Sequence, residues 1–136
     1  MVKITASYLG DLHCNLKHEP SGNVIETDAP KDNMGKGEAF SPTDLAAASL
    51  LSCVLTTMAI YAKRQGKELP GLSGEVLKEM SAEPPRRIAK LTVTVRMPKT
   101  ILKEERAAYE RAGDSCPVKK SLGPTTQVVT TYLYSD

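Results

Sequence analysis

The stretch from Ser41 to Gln65, SPTDLAAASLLSCVLTTMAIYAKRQ, constrains the chain more than any other. Its pattern predicts one long helix. Ser41 suits the N-cap, Pro42 the first helical position and Asp44 the acidic place of a capping box. Asp44 also sets negative charge at the positive end of the helix dipole. Lys63 and Arg64 fall in the last turn, and Gly66 follows as a C′ residue. Between these signals Leu45, Leu50, Leu51, Val54, Leu55, Met58 and Ile60, with the intervening alanines, leave almost no polar face. A helix apolar on nearly every side must be covered on most of them. Ser49, Ser52, Thr56 and Thr57 interrupt the apolar run, and on that ground no membrane span is expected. A chain of 136 residues has few elements with which to cover such a helix. A second copy is the economical cover, so a homodimer is expected.

The remaining numbers exclude several classes. Hydrophobic content of 40% and charged content of 25% suit one soluble globular domain spanning residues 1–136. The net charge is only +2, the basic residues are scattered, and one Phe with no Trp offers no stacking platform, so no nucleic-acid partner is expected. The opening MVKITASYLG alternates like a strand and has no continuous apolar core of a signal peptide, which makes the cytoplasm the expected compartment. Three widely spaced cysteines without a CxxC pair form neither a disulfide scaffold nor a zinc site. No metal or organic cofactor is implied.

Period-two patterning predicts an N-terminal antiparallel meander over residues 2–9, 11–18 and 24–27, with the turn Glu19-Pro20-Ser21-Gly22-Asn23 between the last two. Residues 28–40, DAPKDNMGKGEAF, read as a loop long enough to be functional. After the helix, residues 75–80 and 88–97 read as a strand pair joined through Pro84-Pro85. In the second of these, Leu91, Val93, Val95 and Met97 share one face with Ala89. Residues 102–112 predict a charged surface helix stopped by Gly113. A short helix then opens at Cys116-Pro117, and a terminal strand covers residues 125–134.

Two cysteines carry the candidate chemistry. Cys116 precedes a proline at a helix start, where amide groups and the dipole favour a thiolate, with Lys119 and Lys120 close by. The same position also suits a plain N-cap. Cys53 lies in the middle of the apolar helix, where a cysteine ordinarily serves as a small core residue. Yet Ser49, Thr56 and Thr57 lie at helical spacing from it, and such hydroxyls can hydrogen-bond a thiolate or bond back to their own helix. Cys14, between Leu12 and Leu16 on one strand face, reads as packing.

The run from Gly37 to Leu45 leading to Ser52-Cys53, with Cys116-Pro117-Val118 later in the chain, resembles the OsmC/Ohr family of osmotically induced and organic-hydroperoxide-resistance proteins. The resemblance implies an α+β fold in which antiparallel sheets wrap long central helices in an intertwined homodimer. It implies a thiol peroxidase in which Cys53 attacks the peroxide and becomes a sulfenic acid, Cys116 resolves it as a disulfide, and an external dithiol reduces that bond. Organic hydroperoxides, fatty-acid ones among them, would be the substrates. The sequence departs from the family pattern in two places. No arginine occurs before Arg64, where the family has one in its N-terminal strands, and Thr43 stands where the family glutamate follows the proline. His13, Asp44, Glu38 and Thr57 are therefore candidate auxiliary residues, and Arg86 and Arg87 are further possible sources of charge. A scaffold that binds a small apolar ligand without turnover, or one that senses redox state, is the competing expectation.

Overall fold

A computed structural model describes all residues from Met1 to Asp136. The chain contacts fall into two compact units, residues 1–46 and 47–136, with the boundary inside the first turns of the long helix.

The first unit holds an antiparallel meander of β1 (Ile4–Gly10), β2 (His13–His18) and β3 (Val24–Asp28), in that spatial order. Gly22 adopts φ +75° in the second turn, and the His18 N–H to Asn23 carbonyl bond closes it. Pairing outward from that turn places His13 opposite Asp28. Asp11 and Leu12 both adopt positive φ in the first turn, so Leu12 leaves the strand and is exposed. Cys14, expected in the core, is only half-buried and lies outside the buried cluster. The buried residues of β3 are Thr27 and Asp28, both polar.

The long helix, α1 (Pro42–Arg64), starts and stops where the sequence signals lie. The Ser41 N–H donates to Asp44 Oδ2 (3.0 Å) and the Asp44 N–H donates to Ser41 Oγ (3.0 Å), a reciprocal capping box. At the other end Gly66 sits at φ +71°. Its N–H reaches the Lys63 carbonyl and the Lys67 N–H reaches the Ala62 carbonyl, the paired bonds of a Schellman motif.

The second unit carries most of α1 and a sheet of β4 (Ser73–Met80), β5 (Ile88–Arg96) and β6 (Gln127–Leu133). β4 and β5 are antiparallel. β6 runs parallel to β5, so this sheet is mixed and not wholly antiparallel as expected. The cause is the connection. Parallel neighbours need a long crossover, and here it is built from α2 (Arg106–Asp114) and α3 (Pro117–Ser121). Gly113 does not stop α2, which continues through Asp114. It is buried because a Cβ there would meet the Tyr132 hydroxyl at 2.5 Å and Met58 at 3.1 Å.

Leu50, Val54, Met58 and Ala62 form one stripe of α1 and join Leu91, Val93 and Val95 of β5 in the core. Each large side chain in such a cluster contributes about 1.5–3 kcal/mol by leaving water. Tyr61 and Tyr109 meet edge to face, with centroids 5.1 Å apart at 89°. The opposite stripe of α1, with Ser49, Ser52, Thr56, Ala59 and Ile60, is exposed within one chain. α1 has 23 residues and an 18-residue window of mean hydropathy 1.8, long and apolar enough to cross a membrane by length and composition only, a test that the core helix of a soluble protein also passes. The four hydroxyls dilute the apolar run without bringing it below that level.

Candidate active site: a pair of cysteines

α1 presents Cys53 half-buried at its centre, and Cys116 stands fully buried at the N-cap of α3. Cys53 is near enough to Cys116 to influence its titration. Both remain free. The Lys119 N–H donates to Cys116 Sγ at 3.3 Å. Cys53 Sγ lies 3.9 Å from Thr57 Oγ1, one helical turn on. Ser52 and Thr56 turn to the exposed stripe, whereas Thr57 contacts this thiol.

The helix start does not make Cys116 a thiolate, as one of the two expectations had it. Burial pushes the Cys116 thiol above the ordinary range, and the neighbouring Cys53 pushes the same way. The Lys119 amide and ammonium pull against this and lose. Burial thus favours the protonated thiol at Cys116. The ammonium is itself engaged, since Lys119 Nζ lies 3.3 Å from Asp114 Oδ1, which also accepts from the Tyr132 hydroxyl at 3.0 Å. Burial raises the Tyr132 phenol first, and the Asp114 charge adds to it.

The other candidates have local duties. His13 Nδ1 meets Asp28 Oδ1 at 2.5 Å, and its Nε2 lies 3.5 Å from Glu26. The bond to Asp28 raises the imidazole pKa, and the bond to His13 lowers that of Asp28. Two carboxylates therefore share whatever positive charge His13 carries. Asp28 Oδ2 accepts the Glu38 N–H at 2.9 Å, tying the following loop to the sheet, while the Glu38 side chain is exposed. The Asp44 carboxylate accepts from Ser41 in the capping box. Arg87 reaches Glu83 and the Pro85 carbonyl at the hairpin end. No group of three or more His, Cys, Asp or Glu side chains converges as a metal-ligand set.

Two residues that shape these surroundings, Asp28 and Asp114, escaped the sequence reading. Asp28 had a usable signal, because residues equidistant from the Pro20-Ser21 step pair across the turn, His13 with Asp28 among them. Asp114 had none, since its partners are a helix one turn of chain away and a distant strand.

A model of the OsmC-like protein family matches residues 35–131. That span contains α1, Cys53 and Cys116, and the mixed sheet up to Thr131 within β6. The chain belongs to the OsmC-like family. A crystal structure from Psychrobacter arcticus, named for an osmotic stress induced and detoxification response protein, shares 38% identity over 98% of this chain and 96% of its own, with a TM-score of 0.91. The organic hydroperoxide resistance protein OsmC from Legionella pneumophila shares 18% identity over 97% and 96%, with a TM-score of 0.74. An OsmC like protein from Mycoplasma pneumoniae shares 16% identity over 100% and 98%, with a TM-score of 0.83. Among curated proteins none matches the chain in sequence. The last two structures, at such identities, support the OsmC-like fold alone.

Proposed function

We propose that this OsmC-like protein is a thiol peroxidase that reduces organic hydroperoxides. The observation that carries the reading is the adjacency of a half-buried and a fully buried thiol, both free, on two separate helices. In the first step Cys53 as thiolate attacks the outer peroxide oxygen and the O–O bond breaks. The alkoxide takes a proton and leaves as an alcohol, and Cys53 becomes a sulfenic acid. Cys116 then gives up its proton and attacks the Cys53 sulfur, forming a disulfide and releasing water. An external dithiol returns the two electrons by thiol–disulfide exchange. Thr57 sits where its hydroxyl can hydrogen-bond the Cys53 sulfur or the incoming peroxide.

The same reading includes a homodimer in the cytoplasm, with neither a membrane nor a nucleic acid as partner. Its support is the exposed apolar surface of each unit taken separately. Ile4, Tyr8, Leu9, Val24 and Ile25 are exposed in the first, and Ile60 and Leu77 in the second. Scattered exposed apolar residues are ordinary, but a meander with no buried apolar residue needs a cover. Light scattering at micromolar protein is expected to give twice the 14.7 kDa chain mass.

The decisive experiment mixes the reduced protein with stoichiometric cumene hydroperoxide, counts free thiols and maps the disulfide. Loss of two thiols per chain within seconds, mapped to Cys53 and Cys116, is the expected result. Three free thiols after many minutes would overturn the peroxidase reading and leave a ligand-binding scaffold.

A further inference from the structure

Tyr132 of β6 has two ends with different surroundings. In the ladder it stands opposite Val95, and its ring packs against the buried core. Its hydroxyl reaches the end of α2, 3.2 Å from the Glu110 carbonyl oxygen and 3.0 Å from Asp114 Oδ1. A phenol has one proton, and the charged acceptor makes the stronger bond. Burial first and the Asp114 charge second raise the Tyr132 phenol, so it stays a donor throughout the pH range of thiol chemistry. Packing alone does not call for this hydroxyl, since β5 fills the same core with Leu91, Val93 and Val95.

The hydroxyl arrives beside Cys116. Only Ser115 and Cys116 separate Asp114, the last residue of α2, from Pro117 at the start of α3. Gly113 is seated between Tyr132 and Met58 of α1, because a Cβ there would meet both. The Gly113 carbonyl accepts the Cys116 N–H at 3.3 Å. Asp114 Oδ1 also takes the Lys119 ammonium at 3.3 Å, and the Lys119 N–H donates to Cys116 Sγ at 3.3 Å. The thiol is therefore tied before and after the junction to residues that Tyr132 touches or that share its acceptor. A disulfide requires Cα atoms about 4.4–6.8 Å apart with a narrow dihedral range, so a loose junction weakens the bond that can form there.

We propose that Tyr132, acting through Asp114, is a positioning residue that holds Cys116 in place for its bond with Cys53. The β5 ladder fixes Tyr132, its hydroxyl fixes the end of α2, and the end of α2 fixes the thiol. Under the peroxidase reading, on which the catalytic meaning rests, this governs how readily Cys116 resolves the Cys53 sulfenic acid. The hydrogen bond belongs to the reduced protein and acts without a peroxide.

The test equilibrates the full-length protein with mixtures of reduced and oxidised dithiothreitol and quantifies the Cys53–Cys116 disulfide by peptide mapping. In that exchange the two protein thiols give up two electrons and two protons as their S–S bond forms, and the cyclic disulfide of the reagent opens to the dithiol. Tyr132→Phe and Asp114→Ala are each expected to lower the equilibrium constant about fivefold, a shift of about 20 mV toward easier reduction. Asp114→Asn, which keeps an acceptor, should stay within about twofold of the natural protein. Tyr134→Phe is the control, because its hydroxyl bonds the same helix through the Glu110 carboxylate at 2.8 Å. It should lower stability in urea as Tyr132→Phe does and leave the disulfide equilibrium unchanged. If circular dichroism shows that Tyr132→Phe does not fold, the two variants of the partly exposed Asp114 decide the question. An equilibrium unmoved by Tyr132→Phe and Asp114→Ala would overturn the proposal. So would an equal drop in Tyr134→Phe, an Asp114→Asn no better than Asp114→Ala, or no Cys53–Cys116 bond in the natural protein. Because no peroxide is used, the expected pattern in a protein that fails the peroxide thiol count would uphold the positioning role and sink only the peroxidase reading.

Discussion

The two sheets of this chain bury opposite kinds of residue. In the sheet of β4 to β6 the face toward α1 is apolar, and Leu91, Val93 and Val95 are fully buried. In the sheet of β1 to β3 the buried residues are Thr27 and Asp28, while Ile4, Tyr8, Val24 and Ile25 lie exposed. The first arrangement is a self-sufficient core in which area removed from water holds the elements together. The second is held by hydrogen bonds and charge, through the strand ladders and the His13–Asp28–Glu38 clamp. The candidate chemistry sits in the region with the core. A thiol pair must be held in register to form a bond, and close packing on well-formed helices supplies that rigidity.

The largest expected effect would locate the chemistry in one region. Cys53→Ser should abolish consumption of an organic hydroperoxide, whereas Cys14→Ser, in the other sheet, should leave it standing. A coupled reductant assay decides this, and loss of turnover in both variants would break the contrast. Next in size is a cut in the apolar core. Leu91→Ala should cost about 2–5 kcal/mol in urea unfolding, because it leaves a cavity in a site with no solvent exposure. A cost well under 1 kcal/mol would mean that the core is not the main support of the second region.

A smaller effect belongs to the start of α1. Ser41→Ala removes half of the capping box and should cost about 1 kcal/mol by the same measurement. Ser41→Asp, which keeps an acceptor, should recover most of it. The smallest effect is a pH dependence confined to the first region. His13 has a raised pKa in the folded chain, so its contribution is complete below the ordinary imidazole pKa and fades as pH rises through the raised value. Asp28 has a lowered one, so its contribution is complete above the ordinary carboxyl pKa and fades as pH falls through the lowered value. Hydrogen exchange of the Glu38 amide should therefore be slowest, after correction for intrinsic rates, between those two limits. His13→Gln should remove the alkaline limb. A flat profile in the natural protein would show that the clamp carries no weight.

Much of the architecture was legible because its signals are local. Ser41, Asp44 and Gly66 marked the ends of α1, since caps involve only neighbouring residues. Alternation in residues 88–97 marked the buried face of β5. Gly113 misled for the opposite reason. A glycine near a helix end reads as a stop, but here its missing side chain makes room for Met58 and Tyr132, which are distant in sequence. The parallel placement of β6 was likewise invisible, since a strand's own residues do not state which way its neighbour runs.

The sequence by itself determined where α1 begins and ends, which face of β5 is apolar, and which two cysteines to watch. These follow from backbone capping, side-chain periodicity and a resemblance carried by short runs. Only the tertiary structure decided that Cys116 is a buried thiol whose pKa is raised and not a helix-start thiolate, because desolvation depends on what packs around the sulfur. It alone brought the Asp114 carboxylate to the Tyr132 hydroxyl and the Lys119 ammonium. Charge in a sequence is a property of single residues, but its partners and its screening are set by the fold.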